Sequence, residues 1–230
     1  MKKNRIIFAV ILLIITTSVL ISQRKLAEPD VRCRMETIPL QGINIEVFHR
    51  YVTYLYKSGT LDIENSKTTE AAKMYIDSTL DTYKDKNPAV VFDLDETLLS
   101  NFDSFKKMNF SMDWEKVNYD SCTLIKPTFD LYKHVLDNNI KVILITARNE
   151  ALRKNTVNNL KRLGITKWDT LMLMPKDMKW SDENTMYFKV NSRKAMTEAG
   201  YTIMFSIGDK ITDLKGGFCD TTFKLVNVLY

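Results

Sequence analysis

The stretch over residues 89–99 constrains this chain most, because a buried strand there ends in a concentration of acidic residues. Its first four residues, Ala-Val-Val-Phe, form the short apolar run that is typical of a buried β-strand. Asp93, Asp95 and Glu96 follow within four positions. Because side chains alternate across a strand, Asp93 and Asp95 are expected on the same side. Paired carboxylates repel each other unless a cation or a shared proton compensates, and Mg²⁺ fits best where a phosphate completes its shell.

From residue 88 onward, apolar strands alternate with helices along the chain. Residues 140–145 and 201–207 form two further buried strands, and shorter runs at 171–173 and 223–226 predict two more. Helices are predicted between them, over residues 127–137, 149–163 and 189–198. Strands separated by helices require right-handed crossovers, which give a parallel sheet with helices on both faces. The predicted fold class is therefore α/β.

The portion before this pattern, residues 26–87, is predicted to be helical. Apolar residues recur at helical spacing up to about Lys57, Gly59 interrupts the pattern, and Ser66 is placed to cap a second helix. Several tyrosines lie on the apolar faces of both helices, and we expect them to pack rather than to bind a ligand. A third region, residues 102–126, is rich in aromatics without a clear period and predicts a cap-like insertion of helix and loop.

Residues 1–25 have the pattern of a targeting segment. Three basic residues precede the apolar run over residues 6–22, and Arg24 and Lys25 follow it. Positive charge before a hydrophobic run sends the chain that follows across the membrane. The run is short for a membrane-spanning helix and long for a signal peptide, so a signal-anchor and a cleaved signal both stay open, with the basic pair favouring the anchor. In either case we expect the working domain outside the cytoplasm, anchored to the membrane or secreted.

The net charge of +5 comes from that segment alone. Without its five basic residues, the 33 basic residues of the chain fall to 28, equal to its 28 acidic residues. This balance gives no argument for a nucleic-acid polymer as a partner. The three cysteines, Cys33, Cys122 and Cys219, are spaced too widely for a typical structural zinc site, and one disulfide with a spare thiol stays open.

Each of the three strongest strands ends in side chains suited to chemistry. The strand ends carry Asp93 and Asp95, Thr146 and Arg148, and Asp209 and Asp213. Taken singly, each group has an ordinary explanation, such as an acidic loop after a strand. Ligands of open α/β sheets bind beyond the carboxyl ends of the strands, so these groups are expected to converge on one crevice. Their joint placement predicts an active site there.

The order of these motifs resembles the four-motif set of the haloacid dehalogenase (HAD) superfamily. The motifs are Phe-Asp-Leu-Asp-Glu-Thr-Leu-Leu-Ser-Asn over residues 92–101, then Thr146, then Lys189 with Arg193 four residues on, then Gly208 and Asp209 with Asp213. Within the superfamily, the chain is similar to the acid phosphatase branch, which includes bacterial surface acid phosphatases and plant vegetative storage proteins. The resemblance implies a Rossmann-like HAD core over residues 88–230, with a small helical N-terminal and cap portion. Two departures, Ala147 in the second motif and Thr212 in the fourth, remove no group that the chemistry needs.

The resemblance also implies a role for each group. Asp93 would attack phosphorus to form an aspartyl-phosphate, and Asp95 would protonate the leaving group and then activate water. Thr146 and Lys189 would bind the phosphate oxygens, whose charge must be stabilised. Arg148 would either contact the phosphate or brace its loop, and both alternatives stay open.

The implied cofactor is Mg²⁺, which would offset the repulsion between the nucleophile and a phosphate. Its expected ligands are Asp93, Asp209 and the main-chain carbonyl of Asp95, with Asp213 holding the water shell of the metal. Glu96 is expected to lie outside the chemistry.

The implied function is hydrolysis of small phosphomonoesters, including nucleoside monophosphates, by a Mg²⁺-dependent acid phosphatase outside the cytoplasm. Two alternatives stay open, a phosphotransferase of the same fold and a catalytically quiet surface or storage protein. Four aromatics after the first motif either roof the crevice, where they would stack on a base or aryl group, or pack the insertion against the N-terminal helices. They are Phe102, Phe105, Trp114 and Tyr119.

Overall fold

Five parallel strands form the central sheet of the computed structural model, which describes residues 44–230. In chain order the strands are β1 (Pro88–Phe92), β2 (Leu99–Ser100), β3 (Thr123–Leu124), β4 (Lys141–Asn149), β5 (Thr170–Met174), β6 (Thr202–Gly208) and β7 (Thr221–Lys224). The order in the main sheet is β5-β4-β1-β6-β7, and all neighbours run parallel, whereas β2 and β3 form a separate antiparallel pair. This confirms the predicted α/β class and places the first motif, which follows β1, at the middle of the sheet.

Helices supply the crossovers between the parallel strands. The α-helices of the described residues are α1 (Ile45–Lys57), α2 (Thr60–Thr79), α3 (Phe102–Lys107), α4 (Lys126–Asp137), α5 (Arg153–Arg162), α6 (Asp182–Glu198) and α7 (Ile211–Leu214). Short 3₁₀ helices lie at Leu80–Thr82, Trp114–Lys116, Tyr119–Ser121 and Glu150–Leu152. Helix α4 lies on the connection from β1 to β4, α5 on that from β4 to β5, and α6 on that from β5 to β6.

The alternation of side chains in β1 divides the core into two layers. Val90 and Phe92 belong to the larger layer, to which α2, α4 and α5 contribute buried apolar residues. Ala89 and Val91 belong to the smaller layer, which α6 covers through Phe188. Helices therefore protect both faces of the sheet, which is the arrangement that an all-parallel sheet requires.

Helix α2 begins six residues before the predicted cap, so the prediction that Ser66 caps it is wrong. Gly59 adopts the left-handed conformation, with φ of 76°, and thereby turns the chain directly from α1 into α2 at Thr60. The hydroxyl of Ser66 donates instead to the main-chain oxygen of Asp62, one turn earlier in the same helix, at 2.7 Å.

Helix α6 also begins earlier than the sequence predicts. Its cap is Ser181, whose hydroxyl accepts a hydrogen bond from the main-chain N–H of Asn184 at 3.0 Å. Lys189 therefore lies inside a long helix that starts at Asp182, where neighbouring turns hold its backbone.

The tyrosines of the two N-terminal helices have different environments. In α2, Tyr75 packs edge-on against two phenylalanine rings of β6 and β7. In α1, Tyr51 and Tyr54 are 58% and 61% exposed, whereas Val52 and Leu55 are buried. The prediction of packed tyrosines thus describes α2 and is wrong for these two residues of α1.

The predicted targeting segment of residues 1–25 lies outside the described residues, as does Cys33. Within residues 44–230, no helix is both long enough and apolar enough to cross a membrane. Cys122 and Cys219 are free thiols.

Helix α2 is part of the larger layer of the core, and shortening one of its buried side chains tests its contribution to stability. Ile76 is fully buried in the larger layer. We expect Ile76→Ala to lower the free energy of unfolding by about 2–5 kcal/mol, because it removes buried apolar contacts and leaves a cavity. Urea unfolding followed by circular dichroism measures the change. The control Met74→Ala, at a position 69% exposed on the same helix, should change it by less than about 0.5 kcal/mol. Equal effects would show that α2 is not packed as described.

Candidate active site

Three buried aspartates meet at the carboxyl edge of the sheet. Asp93 directly follows β1, and its main-chain N–H donates to Ile207 of β6 at 3.1 Å. Asp209 directly follows β6, and Asp213 lies in α7. One carboxylate oxygen from each aspartate lies within 4.8 Å of the others. Three of the residues that the sequence predicted for this site are thus brought together.

Gly208 permits the close approach of Asp213. A Cβ atom at this position would overlap the Asp213 side chain, so the last residue of β6 must lack one. Asp213 also accepts a hydrogen bond from the main-chain N–H of Lys210 at 2.8 Å, which fixes the turn between β6 and α7.

Lys189 is the cation of this cluster. Its buried ammonium group donates to Asp93 Oδ1 at 2.6 Å and also to Asp213 Oδ1. Burial raises the pKa of Asp93 well above its usual range even though the charge of Lys189 opposes the rise. Burial and the charge of Asp213 raise the pKa of Asp209 to about 6. One ammonium is therefore insufficient for three buried carboxylates.

Arg193 lies four residues after Lys189, on the same face of α6. Its guanidinium is buried and donates to the main-chain oxygens of Asp213 at 3.0 Å and Gly217 at 2.9 Å, and to that of Lys215. One helix face thus supplies both the ammonium that contacts the carboxylates and the guanidinium that holds the loop carrying Asp213.

The donor set of the cluster fits a hard divalent cation. Carboxylate oxygens are the ligands that Mg²⁺ prefers, and three of them converge here with a deficit of positive charge. Asp209 is oriented by two further donors, Thr97 Oγ1 at 3.2 Å and Asn227 Nδ2 at 2.7 Å. Asn227 lies beyond the last strand and has no motif around it, so the sequence did not predict it. That the main-chain carbonyl of Asp95 is a further ligand stays a prediction.

The Asp95 carboxylate faces a different set of partners. Arg148 donates to it through Nε, at 2.8 Å from Oδ2, and through Nη2, at 2.6 Å from Oδ1. Asn101 Nδ2 donates to Oδ1 at 2.7 Å. Burial alone would lower the pKa of Arg148, but the charge of Asp95 raises it above the ordinary value. The structure shows this contact with Asp95, and both alternatives for Arg148, a contact to phosphate and bracing of its loop, stay predictions.

Thr146 lies at the same edge, near the end of β4, and is buried. Its hydroxyl oxygen accepts the main-chain N–H of Arg148 at 3.2 Å. All six residues predicted from the strand ends, and Lys189, border one cavity of about 680 Å³. The prediction that these strand ends meet in one crevice is therefore confirmed, although Asp93 and Asp209 are more than a hundred residues apart in the chain.

Aromatic residues form the outer part of this cavity. Trp114 and Tyr119 line it, as the roof alternative predicted, together with Trp180 and Tyr230, which the sequence analysis missed. The Lys210 ammonium lies 4.4 Å from the ring centre of Tyr230 and 5.5 Å from that of Trp180. No motif marks these rings, because they reach the cavity from separate loops.

The other two aromatics of the insertion are packing residues. Phe102 stacks on Tyr56 of α1, with ring centres 4.2 Å apart and planes 13° apart. Phe105 is buried and contacts the Trp114 ring edge-on at 5.1 Å. The insertion therefore serves both alternatives, since Phe102 packs against α1 whereas Trp114 and Tyr119 line the cavity.

The parallel sheet and the carboxylate cluster at its edge are those of the HAD superfamily. Residues 16–230 match the family described as HAD superfamily, subfamily IIIB (acid phosphatase). The chain therefore belongs to this acid phosphatase family.

Curated relatives agree with this assignment, and a solved structure shares the fold. The chain is 32% identical to vegetative storage protein 1 of Arabidopsis thaliana over 72% of its own length and 63% of that protein. It is 31% identical to acid phosphatase 1 of Solanum lycopersicum over 73% of its own length and 68% of that protein. The class C acid phosphatase of Bacillus anthracis shares the fold, with a TM-score of 0.63 and 18% identity, covering 81% of this chain and 84% of that one. The chain thus spans just under two thirds of the first of these relatives.

The cluster predicts a pH-dependent stabilisation by metal. The folded-state pKa of Asp209, about 6, lies above its unfolded value of about 4. Its contribution to stability is therefore present below about pH 4 and is lost as the pH rises through about 6. In excess EDTA the temperature of the thermal midpoint should decrease as the pH rises from 5 to 7. Mg²⁺ should raise it by roughly 5 °C at pH 7 and by less at pH 5, because bound carboxylates must be deprotonated.

Differential scanning fluorimetry measures these midpoints. Asp209→Asn should remove the Mg²⁺ effect at pH 7, whereas Asp85→Asn, at an exposed position before β1, should retain it. An equal Mg²⁺ effect at both pH values would contradict binding at this cluster.

Proposed function

We propose that this chain is a Mg²⁺-dependent phosphomonoesterase that forms a covalent aspartyl-phosphate on Asp93. The observation that carries the proposal is the position of the Asp93 carboxylate. It lies at the wall of the 680 Å³ cavity, within hydrogen-bonding distance of Lys189 and beside Asp209 and Asp213. Membership of an acid phosphatase family supports the same reaction class.

The reaction divides into two displacements at phosphorus. In the first, an Asp93 oxygen forms a bond to phosphorus while the bond to the leaving oxygen breaks, and Asp95 transfers its proton to that oxygen. In the second, water attacks phosphorus, Asp95 accepts a proton from it, and the bond to Asp93 breaks. Inorganic phosphate and the regenerated enzyme result. Lys189 and Thr146 donate to the non-bridging oxygens, whose negative charge they stabilise.

Asp93, Asp209 and Asp213 would hold the Mg²⁺ ion, with the main-chain carbonyl of Asp95 as a further ligand. When bound, a divalent ion at this position supplies charge stabilisation for both the carboxylates and the phosphoryl group. Lys189 alone leaves two of the three carboxylates without a balancing charge, which is why the site favours a divalent ion over a monovalent one.

We propose small phosphomonoesters with aryl or nucleoside leaving groups as substrates. The rings of Trp114, Tyr119, Trp180 and Tyr230 around the cavity offer flat apolar surfaces for such a group. The basic and apolar pattern of residues 1–25 supports action outside the cytoplasm.

Storage is a second candidate function, because one relative is a vegetative storage protein. A storage protein has no need for a nucleophile. The retention of Asp93, Lys189 and Asp209 in contact with the cavity weighs against a role in storage alone. The same assays separate the two functions.

Removal of the nucleophile tests the proposal directly. Asp93→Asn should lower the turnover of p-nitrophenyl phosphate by at least about 10³-fold, since the amide cannot form the covalent intermediate. EDTA should inactivate the wild-type protein, and added Mg²⁺ should restore activity. Release of nitrophenolate measures the rate.

Asp85→Asn serves as the matched control and should retain full activity. An Asp93→Asn variant with wild-type turnover would refute the mechanism, and an inactive wild-type protein would favour the storage function. Transfer of phosphate to added alcohols in large excess over hydrolysis would instead show a phosphotransferase.

The aromatic wall predicts a loss that depends on the leaving group. Trp114→Ala should raise KM for a nucleoside monophosphate about tenfold, because stacking on one aromatic ring contributes about 1–3 kcal/mol per base. The KM for ethyl phosphate, which has no ring to stack, should change less than twofold. Steady-state kinetics with both substrates on the same preparation gives the comparison. An equal rise for both would show that Trp114 supports the site only through its packing on Phe105.

A further inference from the structure

A path of hydrogen bonds leads from the Asp95 carboxylate to helix α1. Asp95 lines the large cavity, and Asn101 Nδ2 donates to its Oδ1 at 2.7 Å. The other polar atom of this amide, Asn101 Oδ1, is buried and accepts no hydrogen bond from the described residues. The orientation of the amide therefore depends on how firmly the backbone of Asn101 is held.

Glu96 holds that backbone. Its Oε1 accepts the main-chain N–H of Asn101 at 2.6 Å, slightly shorter than the usual N–H···O distance. Glu96 is 2% exposed and has a φ of 55°, a conformation that is uncommon for a residue with a side chain. Its own N–H donates to the main-chain oxygen of Leu99 at 2.6 Å, which closes the turn. Glu96 thus combines two unfavourable features, an uncommon backbone conformation and a buried carboxyl group, which the surrounding hydrogen bonds must offset.

Tyr56 fixes Glu96 from the other side. Its hydroxyl donates to Glu96 Oε2 at 2.7 Å, and Ser100 Oγ donates to the same oxygen at 3.2 Å. The Tyr56 ring also stacks on Phe102, the residue after Asn101. Burial, with the charge of Glu96, raises the pKa of Tyr56 far above its ordinary value, so the hydroxyl remains a donor.

Tyr56 and Glu96 are separated from the substrate. Both line a second, smaller cavity of about 280 Å³ behind the catalytic loop, whereas Asp95 lines the large one. The smaller cavity is bordered by α1, α2 and the β2–β3 pair. Neither residue lines the large cavity, so both would act on the reaction indirectly, and the hydrogen bonds on this side of the loop lead to Asn101.

We propose that Tyr56 and Glu96 are positioning residues for Asp95: they fix the backbone of Asn101, whose amide, together with Arg148, orients the Asp95 carboxylate for proton transfer. The N-terminal helix α1 thereby belongs to the catalytic apparatus although it contributes nothing to the large cavity. This inference rests on the proposed phosphatase function, in which Asp95 donates a proton to the leaving group.

The dependence of the rate on the leaving group distinguishes positioning of Asp95 from general support of the fold. An alkoxide must be protonated as it departs, whereas nitrophenolate departs without a proton. A misoriented Asp95 therefore slows the hydrolysis of ethyl phosphate much more than that of p-nitrophenyl phosphate. Partial unfolding, by contrast, lowers both rates by the same factor. The ratio of the two kcat/KM values isolates the step in which the leaving group departs.

The experiment measures this ratio for the full chain in excess Mg²⁺ with three variants. Tyr56→Phe deletes the donor and keeps the ring on Phe102. It should lower kcat/KM about tenfold for ethyl phosphate and about twofold for p-nitrophenyl phosphate. A loss of about tenfold is typical when a residue that orients a site residue is removed. Glu96→Gln should lower the ratio of kcat/KM for ethyl phosphate to that for p-nitrophenyl phosphate further than Tyr56→Phe does. Tyr54→Phe, at an exposed position on the same helix, should leave both values within about twofold of the wild type.

Equal losses on the two substrates in both Tyr56→Phe and Glu96→Gln would overturn the positioning role and leave the phosphatase function intact. Wild-type kcat/KM values for both substrates in both variants would overturn it as well. A wild-type protein that hydrolyses neither substrate would instead refute the proposed function, and the inference with it.

Discussion

The arrangement of this protein depends on the burial of three carboxylates against one ammonium. Asp93, Asp209 and Asp213 come from two strand ends and a short helix, and their mutual repulsion opposes the very packing that brings them together. Lys189 offsets part of this cost because α6 begins at Asp182 and holds the lysine in its interior. A divalent cation held by the three aspartates would balance the remaining negative charge.

The segment that follows β1 contains three acids within four residues, and each has a different environment. Asp93 contacts Lys189, Asp95 contacts Arg148, and Glu96 accepts from Tyr56. Burial raises the pKa of Glu96 to about 8, although the Asn101 N–H and the Tyr56 hydroxyl oppose the rise. Environment, rather than residue type, therefore distinguishes three acids that lie close together in the chain.

The sheet and the inner part of the site could be predicted from the sequence because both depend on local patterns. Apolar runs identify buried strands, and the polar residues directly after β1, β4 and β6 must meet where parallel strands end. Lys189 was found only through its resemblance to a family motif, since nothing local distinguishes it from other lysines. Trp180 and Tyr230 were not found, because the path of a loop, and not a periodic pattern, brings them to the cavity. The hydrogen-bond partners of Glu96 could not be predicted either, because a sequence shows its charge but not what lies around it, and that Glu96 lies outside the chemistry stays a prediction.

The helical portion before β1 is connected to the carboxyl edge of the sheet by hydrogen bonds at several points. The side-chain oxygen of Asn65 in α2 accepts the main-chain N–H of Val226 at 2.8 Å, and the neighbouring Asn227 donates to Asp209. The Tyr56 hydroxyl in α1 donates to Glu96, so the first part of the described chain contacts the loop after β1 and the last part contacts the loop after β6. These hydrogen bonds hold the two loops at points beyond the strands that precede them. The helices therefore matter to this site for the order that they impose on its loops, beyond the apolar surface that they bury.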